Sequence, residues 1–315
     1  MPISPDPKFA NAVAALKRGE LVAMPTETVY GLAADARNPE AVRKIFALKG
    51  RPADHPLIVH LSSASQIDDW AADIPQAARS LAEAFWPGPL TLVLKRAASA
   101  DTIVTGGQDT IGLRVPRHPI AHALLEAFGG GVAAPSANRF GHISPTRAAH
   151  VRDEFPTGIA VILDGGDSDV GLESTIVDLS GEQARLLRPG AISQAQLEAV
   201  VGPVQVAVRD DEGPRASGRL ASHYAPRTPT YLVPRERLRS DAAVLALDDL
   251  PAGMSGIALP RDAAAYAQAL YASLRALDQM GRSRIQIETP PNAPEWLAIH
   301  DRLRRAAARD GDAQG

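Results

Sequence analysis

Apolar positions recur at helical spacing over residues 8–18 (KFANAVAALKR), where Phe9, Val13 and Leu16 share one face and Gly19 ends the run. Residues 20–24 (ELVAM) read instead as a short buried strand closed by Pro25. A helix is predicted over 39–49, with Pro39 at its start and Gly50 just past its end. Strands follow at 57–61, 90–94, 111–115, 132–134, 160–163 and 174–179, with helices at 75–85 and 119–128. The helix at 75–85 stops at Pro87-Gly88-Pro89. Strands and helices interleave over short connections, the pattern of an α/β layer structure. Several strands lie too close in sequence for crossover helices, so the sheet is expected to be mixed, twisted and flanked by helices.

The texture changes near residue 202. Residues 209–229 (RDDEGPRASGRLASHYAPRTP) are polar, rich in Gly and Pro, and aperiodic, which is a linker composition. Strand patterns resume at 230–233, 243–247, 256–259 and 284–288, with helices at 261–277 and 294–309. The expected organisation is a larger unit over 1–205, a linker or lid over 206–229, and a smaller C-terminal α/β, Rossmann-like unit over 230–315.

Composition narrows the class. The 315 residues are 45% hydrophobic and 22% charged, ordinary values for a globular chain. The formal net charge of -3 argues against coating nucleic acid by bulk charge, though not against a local basic pocket. The absence of cysteine excludes disulfides, thiolate metal sites and a cysteine nucleophile. No apolar run approaches the ~20 residues of a bilayer span, and Met1-Pro2-Ile3-Ser4-Pro5-Asp6-Pro7 lacks a signal-peptide pattern. A cytoplasmic location without membrane association is therefore expected.

Searches for common cofactor motifs return no P-loop, no G-x-G-x-x-G, no H-E-x-x-H and no G-x-S-x-G. His142, His150, His223 and His300 have no metal-ligand spacing and read as surface or packed residues. Five other segments carry chemistry. Pro25-Thr26-Glu27-Thr28-Val29-Tyr30 follows a strand, where open α/β sheets place ligands, although its hydroxyls could simply satisfy a local turn. Lys49 and Arg51 flank Gly50 before Pro52, so both cations could enter one cleft and suit a polyphosphate; the alternative is cations complementing a helix C-terminus. Arg114 lies in an apolar strand, Thr110-Ile111-Gly112-Leu113-Arg114-Val115. It needs either a buried ion-pair partner or a ligand carboxylate. Ala133-Ala134-Pro135-Ser136-Ala137-Asn138, with Ser144-Pro145-Thr146 after it, offers close backbone approach and small donors. The fifth is Gly171-Leu172-Glu173-Ser174-Thr175-Ile176-Val177-Asp178, followed by Leu187-Arg188-Pro189-Gly190.

Taken in order, PTETVYGLAADA, KGRPADHPLIVHL, TIGLRVP, APSAN with SPT, and GLESTIVD with LRPG resemble the threonylcarbamoyl-AMP synthase family, built on a YrdC-like domain. The resemblance covers about residues 8–200, and Ser222-His223-Tyr224-Ala225-Pro226 with the C-terminal unit resembles the long, two-domain form. It implies that residues 1–205 form a YrdC-like catalytic domain. It implies condensation of L-threonine, bicarbonate and ATP to threonylcarbamoyl-adenylate and pyrophosphate. A partner transferase then modifies the adenosine next to the anticodon of tRNA.

By resemblance, Arg114 clamps the threonine carboxylate, and Thr26, His60, the backbone of Ala134 and Ser174 complete that pocket. Lys49 and Arg51 are phosphate ligands and the catalytic pair. Arg51, His55, Thr110, Ser136, Ser144, Arg188 and His223 are the ATP contacts. His55 stands where many relatives have Asn, which keeps a donor but adds pH sensitivity. The linker reads Ala216-Ser217-Gly218 where Ser-Pro-Gly is often seen. Mg2+ is expected with ATP. Glu27, Glu173 and Asp178 are available carboxylates, but no spacing identifies a ligand set, so no metal residue is assigned.

Two other readings stay open. A non-catalytic RNA-binding module of the YrdC-like type would need a basic face with aromatics for stacking, and aromatics are only 4% of the chain. A carbamoyl-adenylate enzyme of hydrogenase maturation would carry zinc-finger cysteines. Arg302, Arg304, Arg305 and Arg309 on the last helix read as a solvated basic helix end.

Overall fold

The computed structural model describes residues 7–207, 213–218 and 223–308. The start of the N-terminal segment, parts of the linker including Ser222, and Arg309 lie outside the described residues. Eleven strands form the main sheet among them. These are β1 (Val22–Met24), β2 (Gly31–Asp35), β3 (Ile58–His60), β4 (Ala71–Ala72), β5 (Leu90–Arg96), β6 (Thr110–Arg114), β7 (Val132–Ala133), β8 (Val161–Ile162), β9 (Thr175–Asp178), β10 (Arg185–Arg188) and β11 (Gln205–Val206). Their order is β11-β10-β9-β5-β6-β3-β7-β2-β1-β8, with β4 paired to β5. The sheet is mixed, as the short connections require: β3 runs parallel to β6 and β5 to β9, while β5 and β6 are antiparallel.

The helices are α1 (Pro7–Lys17), α2 (Pro39–Lys49), α3 (Gln76–Phe85), α4 (Thr102–Thr105), α5 (Pro119–Phe128), α6 (Ala148–Glu154) and α7 (Gln194–Val201). In α2, Asn38 caps the amides of Glu40 and Ala41, and Gly50 ends the helix at φ 62°, a left-handed position that favours glycine. Val42, Ile45 and Phe46 of α2 pack with Leu32, Val59 and Leu113 of the sheet in one core. Ala12, Ala15 and Leu16 of α1 join Leu124 and Leu125 of α5 in another. Burying a Val, Leu, Ile or Phe side chain of this kind stabilises by roughly 1.5–3 kcal/mol.

Several short elements escape the sequence pattern. β2 follows the segment after Pro25, so that segment joins two strands. The elements α4, α6, β4 and β11 are each of seven residues or fewer, below the length at which periodicity is visible. The last predicted helix, 294–309, divides into a 3-10 turn, Pro294–Trp296, and α9, Leu297–Ala307.

The C-terminal sheet contains β12 (Thr230–Val233), β13 (Ala243–Leu247), β14 (Ser255–Leu259) and β15 (Ile285–Glu288), in the order β12-β15-β13-β14 and parallel throughout. α8 (Ala263–Asp278) packs on β13 and β14, and α9 packs on β12. This core is not closed on itself. Val29, Ile143 and Leu172 of the larger unit join Leu270, Tyr271 and Leu303 in a shared cluster. The two units are therefore bonded through apolar burial as well as through the linker. Among the described residues, no helix is long and apolar enough to cross a membrane.

The turn after β10 lies against the backbone before β9. A Cβ on Gly190 would stand 2.4 Å from the Thr175 amide nitrogen and 2.9 Å from the Glu173 carbonyl oxygen. Gly190→Ala is expected to lower stability by roughly 1–3 kcal/mol, read as a shift in the urea midpoint. An unchanged midpoint would mean that this close approach is not a constraint.

Candidate active site

Register across the sheet assembles the site. His60 ends β3 and Arg114 ends β6, and the two are direct partners in the parallel ladder. Thr91 on β5 bonds Ser174, just before β9, at 2.7 Å between hydroxyls. The loop from Thr26 to Tyr30 crosses beside these ends, held by Tyr30 N–H to Pro145 O and Leu32 N–H to Pro135 O. A cavity opens there. Its lining includes Thr26, Arg51, His60, Arg114, Ala134, Ser136, Ser174, Arg188 and His223. Nine of the positions named from the sequence thus share one cavity.

The five residues expected around threonine differ in what they still offer. Arg114 is 4% exposed, ion-paired to Glu27 at 2.6 Å. It donates from Nε to Gly88 O at 3.1 Å and from a terminal nitrogen to Thr28 Oγ1 at 2.8 Å. Two hydrogen bonds are made and one terminal nitrogen faces Glu27 without a hydrogen bond, so donor capacity of the five N–H groups remains for a ligand. The ion pair and the ligand clamp, alternatives in the sequence, are compatible. His60 is buried with no partner for Nδ1 among the described residues. Thr26 Oγ1 donates to Val29 O at 2.6 Å, so this hydroxyl also shapes its own loop. The Ala134 amide donates to Ile58 O at 3.0 Å, which leaves its carbonyl as the backbone group on offer. Ser174 Oγ accepts from Arg188 at 3.1 Å.

Of the expected phosphate ligands, Arg51 enters the cavity wall. It donates to Pro56 O at 2.9 Å, and its Nε has no partner among the described residues. Burial pushes its pKa down to about 10. Lys49 is placed differently. Its ammonium donates to the carbonyl of Ser136 at 2.6 Å and to that of Asn138, behind the wall. Burial and then the Arg51 charge lower its pKa well below the usual lysine value. A buried ammonium must find acceptors, and the 134–138 turn supplies them. Thr110 lines a neighbouring hollow with Gln108 and Ser217. His55 lies edge-on to Phe140 at 5.2 Å. Ser144 donates its hydroxyl to Glu173. Lys49, His55, Thr110 and Ser144 are not among the residues lining the cavity itself.

Two linker pieces cover it. Ser217 and Gly218 come from one side, pinned by Ser217 Oγ to Pro56 O at 2.9 Å and by Arg188 to Ser217 O at 2.8 Å. His223 and Tyr224 come from the other, tied by His223 N–H to Arg305 O at 3.2 Å. Tyr224 takes φ 61°, a backbone state rare for a bulky residue, and its hydroxyl has no partner among the described residues.

Comparison with known proteins settles the lineage. A family model described as "Telomere recombination" matches residues 14–190, and one described as "Threonylcarbamoyl-AMP synthase, C-terminal domain" matches residues 192–308. The chain belongs to the threonylcarbamoyl-AMP synthase family. A Bacillus subtilis relative named threonylcarbamoyl-AMP synthase is 39% identical, over 96% of this chain and 93% of its own length. A Pyrococcus abyssi relative of the same name is 39% identical over 95% and 94%. The crystal structure of P. abyssi Sua5 complexed with L-threonine superposes with a TM-score of 0.89 at 37% identity, over 95% of this chain and 94% of that one.

Some partners of the cavity residues were missed in the reading of the sequence. Glu27 serves as counter-ion to Arg114. Arg302 and Arg305, read as a solvated helix end, are 0% and 4% exposed. Arg302 donates to Glu173 at 2.9 Å. The signal was present: Ile299, Arg302, Leu303 and Ala306 recur at helical spacing, so Arg302 falls on the apolar face. Arg304 alone of the described three is solvated, its side chain 69% exposed.

The three carboxylates considered for magnesium do not form a cradle. Glu27 is paired to Arg114, Glu173 accepts from Ser144, Tyr271 and Arg302, and Asp178 accepts from Ser180. Among the described residues, no three His, Asp or Glu groups converge on one point.

Burial sets the protonation of the site. It drives His60 down to about 3 and His223 well below the usual imidazole value, with nearby arginines adding to the shift. Both stay neutral in the folded chain at neutral pH. Unfolded imidazoles bind a proton near pH 6.5, so the unfolded state holds more protons below that value. Stability is expected to fall as pH drops from about 6.5 toward 4, at about 1.4 kcal/mol per pH unit for each imidazole kept neutral. Urea unfolding across that range checks this. A flat profile would show that these rings protonate in place.

Proposed function

We propose that this chain condenses L-threonine, bicarbonate and ATP to threonylcarbamoyl-AMP and pyrophosphate. The observation that carries the reading is one buried cavity walled by Arg51, Arg114 and Arg188. There the Arg51 Nε, His60 Nδ1, His223 Nδ1 and Tyr224 hydroxyl have no partner among the described residues. Buried polar groups are ordinarily satisfied, so a cluster of unsatisfied ones facing one space is a site awaiting a polar ligand. Membership of the threonylcarbamoyl-AMP synthase family supplies the identity of that ligand.

The chemistry needs no covalent enzyme intermediate. The threonine amine and bicarbonate give an N-carboxylate with loss of water. One oxygen of that carboxylate attacks the α-phosphorus of ATP, and the bond to pyrophosphate breaks. Holding the two anions together and neutralising charge on the leaving group are the main tasks. Arg114 takes the threonine carboxylate through its remaining N–H groups. The neutral His60 ring beside it, with Thr26, Ser174 and the Ala134 carbonyl, orients the amino acid. Arg51 and Arg188 face the phosphates, with Ser136 and His223 at the nucleotide. Lys49 acts through the Ser136 carbonyl, holding the turn that presents that residue. His55, Thr110 and Ser144 border the nucleotide from outside the wall.

The cover formed by Ser217, Gly218, His223 and Tyr224 excludes water from a mixed anhydride that would hydrolyse. Magnesium arrives as part of the nucleotide, and no step is assigned to it. The product is consumed by a partner transferase that modifies tRNA, and the setting is the cytoplasm. Residues 1–205 form the catalytic unit, 206–229 the lid, and 230–315 a supporting unit.

Incubation with ATP, bicarbonate and threonine is expected to yield the adenylate by mass spectrometry, with none when any component is omitted. Arg114→Ala is expected to weaken threonine binding by about 10²-fold while sparing most ATP affinity. Calorimetry reads both affinities, and Glu27→Ala added to Arg114→Ala removes the stranded carboxylate that would otherwise unsettle the fold. Unchanged threonine affinity would move the clamp elsewhere. Arg51→Ala is expected to slow pyrophosphate release by about 10²-fold with the fold intact. Normal turnover would place the phosphate site away from Arg51.

A further inference from the structure

Glu173 is an awkward group for this cavity. It is on the lining, 7% exposed, in a space assigned to a triphosphate and a carboxylate. An uncompensated buried carboxylate there would repel both substrates. Its compensation comes largely from the C-terminal unit. Arg302 on α9 donates from Nε to Glu173 Oε2 at 2.9 Å, and Tyr271 on α8 donates to the same oxygen at 2.9 Å. Arg302 also reaches Pro189 O at 3.1 Å, next to the cavity residue Arg188, and its guanidinium carbon lies 5.3 Å from the ring centre of the cover residue Tyr224. Asp301 holds Arg302 in place at 2.7 Å and accepts from Arg305 at 3.1 Å.

We propose that Arg302 is a positioning residue for the reaction: through it the C-terminal unit neutralises Glu173, so that a wall bearing a carboxylate still accepts an anionic nucleotide. The inference rests on the reading of the cavity as the ATP site. It assigns the C-terminal unit an electrostatic task in addition to packing.

The groups facing Glu173 can be named. They are Arg302, with Asp301 and Arg305 behind it, Tyr271 from α8, Arg188 from β10, Ser144 from its loop, and Tyr224 from the cover. Burial alone would raise the Glu173 carboxyl, but the charges of Arg302 and then Arg188 hold it below the usual carboxylate value. Without Arg302 the burial effect is opposed mainly by Arg188, and the carboxyl titrates higher. Below its new pKa it is neutral and harmless to ATP. Above it, a stranded negative charge faces the phosphates. The KM for ATP, taken relative to the native value, therefore rises as pH rises.

The test compares steady-state kinetics of the full-length protein from pH 6 to 8.5. For Arg302→Met, the ratio of its ATP KM to the native value is expected to climb by about tenfold or more across that range. Adding Glu173→Gln to Arg302→Met is expected to flatten the ratio and return it to within about threefold of native, since the charge to be neutralised is gone. Arg302→Lys, which keeps the charge, is expected to stay flat. A ratio that does not change with pH, or a double variant worse than Arg302→Met, would overturn the inference and leave Arg302 a structural brace. If Arg302→Met does not accumulate as folded protein, the double variant decides: ATP affinity near native supports the inference, and loss of ATP binding in a folded double variant, or failure of that variant to fold, overturns it. Native protein that makes no adenylate at any pH would overturn the reading of the site itself, a separate outcome.

Discussion

The guanidinium groups of Arg51, Arg114 and Arg188 share a cavity wall that little water reaches, and much of the surrounding architecture serves to make that arrangement tolerable. Each is 8% exposed or less. Buried cations repel one another and lose hydration, so each must find acceptors within the chain. Arg114 has Glu27 and a carbonyl; Arg51 and Arg188 lean on the carbonyls of Pro56, Ser174 and Ser217. The compensation is partial by construction. Enough donor capacity remains for an anionic ligand to complete it, which is how a preorganised binding site differs from a salt-bridged core.

The same requirement explains how the two units are joined. The larger sheet brings the arginines, His60 and Ser174 to adjacent strand ends. It leaves Glu173 among them, and the neutralising Arg302 comes from α9 beyond the linker. An apolar cluster that mixes Val29, Ile143 and Leu172 with Tyr271 and Leu303 fixes the distance over which that ion pair acts. Packing and electrostatics therefore reinforce one another. The helix that closes the shared core also carries the charge that the cavity needs.

The covering segments follow from this geometry. Ser217 is bonded to both Arg51 and Arg188, so the cover is anchored on two of the cavity's cations. His223 and Tyr224 pack against each other with ring centres 4.1 Å apart, and Tyr224 stacks on Tyr271 of the C-terminal unit. A change at the cations is thus felt at the cover, and the reverse.

By itself the sequence determined the α/β class, the mixed main sheet and the second smaller unit, which follow from local signals: hydrophobic period and Pro and Gly punctuation. Nine residues of the cavity wall were named through the ordered motifs of the family resemblance, with Arg114 also marked locally as a charge in an apolar strand. The partners of those residues were decided only in three dimensions. That Glu27 faces Arg114, that Lys49 turns to the carbonyls of Ser136 and Asn138, and that Arg302 is buried on Glu173 all depend on strand register and helix docking between positions far apart in the chain. A charge pattern read along one helix shows which side chains are cations. Whether each meets water, a carbonyl or a carboxylate is set by what the rest of the chain packs against it.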